Sequence, residues 1–381
     1  MPVLRIVPSV VLSIGLVGCA AKADKVNSIE STQAPESSSS ASIMPASDVA
    51  PQASSPDGNS PVLLSAQLQD FAETIAQERS IPLSHAQQLL SEANFISRVA
   101  QLTAPPKQKI VKSWSTYRQR FVEPIRIREG LAFWQRKQVT LDSVATEYGV
   151  PASILVAIIG VETLYGQHMG NFRVLDSLYT LGFHFPDANR PDRAEFFRGQ
   201  LADLIQLDHE GRLDARQVEG SYAGALGIPQ FLPGSMMRYA SDGDNDGKVD
   251  LLGSEDDAIA SVASFLRQHG WEPSLPVFAP VRLPNNAASL VDGGLKPSLQ
   301  WQQLQDAGAS VTAENRNLAW QAHALGVIDL PEQSQGTADY RVATPNFFAL
   351  TEYNRSYFYA TAVTDLAQAL ASQMGYSSPN Y

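Results

Sequence analysis

A single stretch, residues 151–166 with the sequence PASILVAIIGVETLYG, limits the possible folds more than any other part of the chain. Nearly every residue between Ala152 and Tyr165 is apolar. Pro151 is a favourable first-turn residue, and Gly166 is a favourable C-cap. A helix that is apolar on all sides but too short to span a bilayer belongs inside a protein. The stretch therefore predicts a buried central helix with a large core around it.

One ionisable residue, Glu162, interrupts this apolar run. It follows Ile159, Ile158 and Leu155 by three, four and seven positions, so it shares their face of the helix. Burial and the negative end of the helix dipole both raise the pKa of a carboxyl group. These conditions favour a carboxylic acid that stays protonated and acts as a general acid. The alternative is a structural glutamate paired with an arginine.

Composition and motifs exclude several classes of function. The 381 residues are 44% apolar, which is typical of a globular chain, and the net charge of −11 argues against nucleic acid as a partner. The six histidines are scattered, without an H-E-x-x-H zinc motif. The chain also lacks a G-x-S-x-G nucleophile elbow, a P-loop and a dinucleotide-binding fingerprint.

The first 18 residues resemble the signal peptide of a bacterial lipoprotein. Arg5 supplies the positive region, residues 6–16 the apolar region, and LVGC the cleavage region that ends at Cys19. The resemblance implies lipidation of Cys19, which is the only cysteine, so no disulfide framework is expected. Ala20 in the next position is associated with an outer-membrane lipoprotein facing the periplasm. A plain signal peptide with an incidental cysteine is the alternative.

The remaining sequence divides into four segments that differ in composition and in secondary-structure pattern. Residues 19–61 are rich in serine, alanine and proline and predict a flexible tether. Residues 62–270 show mostly helical periodicity. Prolines and short strand patterns in residues 271–345 predict a small β-containing subdomain. Residues 346–381 return to the main body with a last helix. The predicted fold class is mainly α (α+β).

An acidic loop predicts a cation site. Asp242, Asp244 and Asp246 form D-x-D-x-D-G, and Lys248 follows with a carbonyl group, as at positions 1, 3, 5 and 7 of an EF-hand calcium loop. Gly253 stands where the bidentate glutamate of position 12 is expected. A solvated acidic turn without a metal is the alternative. Three later carboxylates are candidates for the last ligand: Glu255, Asp256 and Asp257.

Four motifs occur in order along the chain: IIGVETLYG, SYAGALGIPQFLPGS, the acidic loop followed by DAIASVASFLRQHGW, and PNFFALTEYNRS. Together they resemble the membrane-bound lytic transglycosylase B family, peptidoglycan-cleaving lipoproteins. The similarity runs from about residue 64 to residue 373. It implies a lysozyme-like helical domain, a small inserted β subdomain, one EF-hand-like loop and a groove for glycan strands.

The resemblance also implies a reaction. Such enzymes cleave the β-1,4 bond between N-acetylmuramic acid and N-acetylglucosamine without water, forming a 1,6-anhydro ring. Glu162 would protonate the leaving oxygen and then accept the proton of the muramyl C6 hydroxyl. The implied partners are peptidoglycan strands, the outer membrane through the lipid anchor, and complexes of cell-wall enzymes. The implied cofactor is a structural Ca²⁺.

Site residues follow from matching each family motif. Of a family pair of arginines, only Arg193 is kept, Asp192 replaces the other, and Arg190 in the inserted residues 187–191 is a candidate substitute. The other implied sugar contacts are aromatic, hydroxyl or amide side chains: Tyr117, Ser221, Gln230, Tyr353, Asn354 and Tyr359. The implied metal ligands are Asp242, Asp244, Asp246, Lys248 and Asp257.

Two other functions remain open on the sequence. A hydrolytic muramidase would cleave the same bond with water and would need a second carboxylate across the cleft. A lipoprotein that only binds glycan would not depend on Glu162. The combined presence of Glu162, Ser221, Gln230 and Asn354 argues against this binding function.

Overall fold

The computed structural model describes residues 64–106, 111–312 and 318–376. The predicted signal peptide, lipidated cysteine and tether lie outside these residues. The described part confirms a mainly α fold. Its α-helices, in chain order, are α1 Ala66–Arg79, α2 Leu83–Glu92, α3 Ser97–Thr103, α4 Trp114–Gln119, α5 Pro124–Arg136, α6 Gln138–Tyr148, α7 Ala152–Thr163, α8 Val174–Phe183, α9 Pro191–His209, α10 Pro233–Tyr239, α11 Glu255–Gln268, α12 Trp301–Asp306, α13 Pro345–Tyr353 and α14 Tyr357–Gln373.

Short antiparallel strand pairs complete the described fold. The strands are β1 Phe172–Arg173, β2 Glu219–Gly220, β3 Val281–Arg282, β4 Ser310–Val311, β5 Gly326–Glu332 and β6 Thr337–Ala343. They pair as β1 with β2, β3 with β4, and β5 with β6. The β5–β6 hairpin runs from Gly326 opposite Ala343 to Glu332 opposite Thr337. Because β1 pairs with β2, the start of the glycine-rich segment lies beside the residues that follow α7.

Helix α7 is the centre of the larger core, as its sequence predicts. All of its residues except Glu162 are buried. Helices α5, α6, α11 and α14 pack around it. None of the helices in the described ranges has both the length and the apolar character of a membrane-spanning helix. Helices α6 and α7 reach the required values only when they are taken as a pair, and the chain bends by 113° between them.

A second, smaller hydrophobic cluster lies within residues 275–342. Trp301 and Trp320 meet edge to face in it, with ring centroids 4.9 Å apart. The strands β3 to β6 belong to this part of the chain, inside the segment that the sequence predicts to be a β-containing subdomain. The subdomain boundaries at residues 271 and 345 stay a prediction.

Candidate active site

Glu162 is the half-buried, next-to-last residue of α7. Burial raises the pKa of its carboxyl group from 4.5 to about 7. A hydrogen bond opposes part of this shift: the Tyr359 hydroxyl donates to Oε1 of Glu162 at 2.6 Å. Among the described residues no second carboxylate contributes to the shift. The arrangement provides one carboxyl group that is partly protonated near neutral pH.

The chain leaves α7 through an unusual turn. Leu164, Tyr165 and Gly166 all have left-handed backbone angles, with φ of 50°, 59° and 86°. The sequence predicts Gly166 as the cap, but the helix ends at Thr163 because the two larger residues already adopt the left-handed conformation. The Tyr165 hydroxyl donates to the carbonyl of Arg126 at 3.0 Å and holds the turn against α5.

Tyr359, which binds the Glu162 carboxyl group, belongs to a group of three tyrosines with Tyr353 and Tyr117. The Tyr353 ring stacks on that of Tyr359, with centroids 6.3 Å apart and planes at 12°. Burial raises the pKa of all three phenols, and the charge of Glu162 raises the pKa of each further. Tyr117 also contacts Phe121 and completes an aromatic wall drawn from α4, α13 and α14.

The glycine-rich segment, residues 220–233, passes beside the end of α7. The carbonyl of Ile228 accepts a 2.9 Å hydrogen bond from the Thr163 hydroxyl, and the carbonyl of Pro229 accepts one of 2.5 Å from the Tyr353 hydroxyl. The segment therefore contacts both the helix that carries Glu162 and the aromatic wall.

Ser221 and Gln230 lie in this segment and are half-buried. The Ser221 hydroxyl accepts from the Ala225 N–H at 3.0 Å. Gln230 has a left-handed φ of 52°, and its side-chain amide donates to the carbonyls of Met169 and Gly227 at 3.1 and 2.9 Å. These bonds hold the two predicted sugar contacts in defined positions.

Asn354 ends α13 directly after Tyr353 and is also half-buried. Its backbone is extended, with φ −147° and ψ 120°, and its carbonyl accepts from the Ser356 N–H at 2.6 Å. Because Tyr353 and Tyr359 flank it in the sequence, Asn354 lies on the chain that joins the two stacked rings. Its predicted sugar contact stays a prediction.

Arg193 lies in the first turn of α9 and is only 8% exposed. Its guanidinium lies over the rings of Phe196 and Phe197, at 5.3 and 5.6 Å from their centroids. Burial and the charge of Arg190 lower the Arg193 pKa to about 10. Arg190 itself forms two hydrogen bonds with Asp192, at 3.0 and 2.8 Å. The predicted binding of a substrate carboxylate by Arg193 stays a prediction.

The acidic loop brings three carboxylates together. One side-chain oxygen each from Asp242, Asp244 and Asp257 lies within 4.8 Å of the others. Asp257 is 2% exposed; burial raises its pKa and the charge of Asp244 adds to that effect, while backbone hydrogen bonds from Asp250 and Gly243 oppose it. Asp242 is half-buried and Asp244 is exposed, so Asp257 is the buried member of the group. Three carboxylates that converge in this way fit a hard divalent cation.

The other two candidates for the last ligand have cationic partners. Asp256 accepts from the Lys137 ammonium at 2.7 Å, and Glu255 accepts from the Arg136 guanidinium at 2.7 Å. Asp246 lies in the loop but not in the converging group, and its side chain accepts from the Lys248 N–H at 2.8 Å. The carbonyl of Lys248 stays a predicted ligand. This geometry supports Asp257 over Glu255 and Asp256.

Comparisons with known proteins decide the family. The model for the transglycosylase SLT domain matches residues 64–368. The chain belongs to this family. Membrane-bound lytic murein transglycosylase B of Escherichia coli (strain K12) is 33% identical over 311 residues, which cover 80% of this chain and 82% of that protein.

Solved transglycosylases have the same fold. Soluble lytic transglycosylase SltB1 from Pseudomonas aeruginosa is 34% identical and covers 81% of this chain and 99% of its own, with a TM-score of 0.72. Escherichia coli lytic transglycosylase Slt35 in complex with calcium is 32% identical and covers 81% of this chain and 93% of its own, with a TM-score of 0.69.

Some residues around the candidate site are not predicted from the sequence. Arg126 donates from Nε to the carbonyl of Gly160 at 2.8 Å, two residues before Glu162. Thr163 and Tyr165 hold the turn after the helix. The sequence signal for Thr163 and Tyr165 is their position directly after Glu162 in the motif ETLYG. Arg126 lies in an amphipathic helix without any such signal.

Proposed function

We propose that Glu162 is the single catalytic carboxyl group of a peptidoglycan lytic transglycosylase. The observation that carries this proposal is the half-buried carboxyl group with a pKa near 7, held by Tyr359 beside Tyr353 and Tyr117. The enzyme cleaves the β-1,4 bond between N-acetylmuramic acid and N-acetylglucosamine and leaves a 1,6-anhydro-N-acetylmuramic acid end. The membership of the family and the name of the Escherichia coli relative support the reaction and its substrate.

The first step uses Glu162 as a general acid. Its proton passes to the glycosidic oxygen while the bond from that oxygen to muramyl C1 breaks, leaving an oxocarbenium-like centre and an ionised Glu162. The Tyr359 hydroxyl stabilises the ionised carboxylate because a hydrogen bond to an anion is stronger than one to a neutral group. A pKa of about 7 keeps part of the population protonated at neutral pH.

The second step uses the same residue as a base. The ionised Glu162 accepts the proton of the C6 hydroxyl as that oxygen attacks C1, which closes the anhydro ring and restores the acid. The substrate's 2-acetamido group and nearby hydroxyl and amide groups stabilise the positive centre in place of a second carboxylate. Supporting this, no second carboxylate contributes to the Glu162 pKa among the described residues.

Digestion of purified peptidoglycan tests the proposal. We would incubate it with the full chain in detergent and with Glu162→Gln, and identify the products by mass spectrometry. Anhydro ends from the natural chain that vanish with Glu162→Gln are the expected result. Reducing ends, heavier by one water, would instead establish a hydrolytic muramidase. Glycan binding without any product from either folded protein would favour the non-catalytic lipoprotein.

We also propose that the acidic loop binds a structural Ca²⁺. The three converging carboxylates of Asp242, Asp244 and Asp257 would supply oxygen ligands, with Asp246 and the carbonyl of Lys248 completing the set. The calcium complex of the related Slt35 supports the choice of metal. When bound, the cation would neutralise the carboxylates and hold the loop against α11.

The location follows as a further proposal. We infer that Cys19 carries lipid and anchors the enzyme to the outer membrane, facing the periplasm and the peptidoglycan strands. The words "membrane-bound" in the name of the Escherichia coli relative support this. Incorporation of labelled palmitate by the natural chain but not by Cys19→Ser is the expected result. Equal labelling of both would contradict it. Partners within a cell-wall complex stay a prediction.

A further inference from the structure

The residue after Glu162 is a buried threonine whose hydroxyl donates one hydrogen bond and accepts another. Thr163 is 1% exposed. Its hydroxyl donates to the carbonyl of Ile228 at 2.9 Å and accepts from the Gly166 N–H at 2.9 Å. The carbonyl of Ile159, at 3.4 Å, is a weaker alternative acceptor within the same helix. A hydroxyl has a single hydrogen, so the shorter bond to Ile228 takes it.

The bond from Gly166 is one of the contacts that hold the turn after α7. Leu164 and Tyr165 adopt left-handed backbone angles that side chains with a Cβ disfavour, so surrounding contacts must hold them. The Thr163 hydroxyl ties the far end of this turn back to the helix. Loss of the hydroxyl would therefore allow the last turn of α7, including Glu162, to relax.

The bond to Ile228 has a rigid anchor. The Ile228 N–H donates to the carbonyl of Leu251 at 2.8 Å, and the next carbonyl, that of Pro229, accepts from Tyr353. Hydrogen bonds therefore hold the backbone on both sides of the Ile228 carbonyl. The same segment carries Ser221 and Gln230, so the Thr163 hydroxyl is a direct link between the catalytic helix and the proposed sugar contacts.

We propose that Thr163 is a positioning residue for Glu162. Its hydroxyl fixes the end of α7 against the glycine-rich segment, which holds the carboxyl group in line with Tyr359 and with the bound sugar. Because its hydroxyl is engaged by Ile228 and Gly166, Thr163 affects the reaction through the position of Glu162 and not by contact with the sugar. The inference rests on the proposed catalytic role of Glu162.

The test compares Thr163→Val, which keeps the shape but removes the hydroxyl, with Thr163→Ser, which keeps the hydroxyl. We expect Thr163→Val to lower kcat on peptidoglycan about 10- to 100-fold with little change in KM, because a small misplacement of a reacting group has effects of this size. Thr163→Ser should restore most of the activity. Thermal unfolding of each variant would be measured alongside.

The pH dependence of activity distinguishes a positioning role from a purely structural one. If Thr163 only stabilised the fold, its substitution would not change the pH profile. In the part of the chain that the structure describes, Tyr359, Tyr353 and Tyr117 are the groups whose pKa the charge of Glu162 raises. Burial raises the pKa of each phenol as well, so the basic limb of activity reports Glu162. The Tyr359 hydrogen bond lowers the Glu162 pKa. If Thr163→Val misaligns that bond, the basic limb moves to higher pH, and Thr163→Ser returns it.

Three results would overturn the proposal. One is a Thr163→Val enzyme with natural kcat and pH profile, and another is equal loss of activity in Thr163→Val and Thr163→Ser. The third is failure of Thr163→Val and Thr163→Ala to fold while Thr163→Ser folds, which would assign the hydroxyl to folding alone. The variant Glu162→Gln tests the catalytic role of Glu162 separately from the positioning role of Thr163. If Glu162→Gln remains active, the proposed function is wrong, independently of the results for the Thr163 variants.

Discussion

The hydroxyl of Tyr359 donates a 2.6 Å hydrogen bond to Oε1 of Glu162, across 197 positions of sequence. Two opposing effects set the pKa of the Glu162 carboxyl group. Burial favours the neutral carboxyl group, while the hydrogen bond favours the carboxylate, and the balance is a pKa of about 7. A group that must first give and then take a proton works best when its pKa is near the working pH.

Removing the Tyr359 hydroxyl should disturb this balance in a known direction. Because the bond lowers the Glu162 pKa, Tyr359→Phe should raise it, and the basic limb of the pH–rate profile should move to higher pH. We also expect kcat to fall about 10-fold or more, since a charge-assisted hydrogen bond is worth about 1.5–3 kcal/mol. The measurement is kcat on peptidoglycan between pH 4 and pH 9.

Tyr148→Phe is the matched control for this prediction. It removes a half-buried phenol whose partner is the Ser241 hydroxyl, at 3.4 Å, and not a carboxylate. Its pH profile should match that of the natural chain. A basic limb that stays in place in Tyr359→Phe would show that the Tyr359 hydroxyl does not stabilise the ionised Glu162.

Glu162→Gln should be inactive but more stable at alkaline pH. The carboxyl pKa is about 7 in the folded chain, against 4.5 as its ordinary value, so the folded state binds more protons between these two values. Stability is therefore lost as the pH rises through this window, on the order of 3 kcal/mol by pH 8. The neutral amide avoids that loss and still accepts from Tyr359.

Thermal unfolding at two pH values checks this. Glu162→Gln should unfold several degrees above the natural chain at pH 8 and close to it at pH 4. Glu147→Gln, on the surface of α6, serves as the control and should track the natural chain at both values. Equal unfolding temperatures of Glu162→Gln and the natural chain at pH 8 would mean that the carboxylate is not destabilised by its surroundings.

The central helix could be predicted from the sequence because its signal is local. The apolar run of residues 151–166 and the single charge of Glu162 lie in one window, and the structure shows the helix over Ala152–Thr163. The predicted rise of the Glu162 pKa is also found, with burial as its cause. The strands of residues 271–345 are less well predicted, because β6 and its pairing with β5 depend on contacts outside any window.

Contacts between residues that are far apart in the sequence determine the geometry of the rest of the site. The hydrogen bond from Tyr359 to Glu162 and that from Tyr353 to the Pro229 carbonyl join distant segments, so no periodicity indicates them. The burial of Arg193 against Phe196 and Phe197 is likewise a consequence of packing. The sequence does not indicate helix α13, which carries Tyr353, because its apolar residues are mixed with threonine and asparagine.

Two neighbouring aspartates should respond differently to calcium. Asp257→Asn removes a member of the converging carboxylates and should abolish the rise in unfolding temperature that calcium produces. Asp256→Asn weakens the ion pair with Lys137 and should lower the unfolding temperature while keeping the calcium response. For the natural chain, calcium at 100 times its Kd should add about 2.7 kcal/mol.

Unfolding curves with calcium and with a chelator would separate these effects. We expect the chelator to lower the unfolding temperature of the natural chain and of Asp256→Asn, but not that of Asp257→Asn. Cleavage of peptidoglycan at a temperature where all three proteins are folded should not depend on calcium. A natural chain whose unfolding is unchanged by the chelator would contradict a structural cation in this loop.

Gly227 shows how closely the glycine-rich segment approaches its neighbours. It has a left-handed φ of 66°, and a Cβ there would lie 2.2 Å from the carbonyl oxygen of Leu251. Gly211 has a similar φ of 69°, but a Cβ there would meet open space. Gly211→Ala should cost only the conformational penalty, about 1–2 kcal/mol. Gly227→Ala must also displace the backbone of Leu251, so we expect a cost of about 3 kcal/mol or more.

The difference between the two alanine variants should extend to activity. Displacing Gly227 moves Ile228, the acceptor of the Thr163 hydroxyl, and so disturbs the end of α7. We expect Gly227→Ala to lose at least about 10-fold in kcat at a temperature where it is folded, and Gly211→Ala to retain natural kcat. If Gly227→Ala were destabilised yet fully active, the position of the segment would matter for folding but not for the carboxyl group of Glu162.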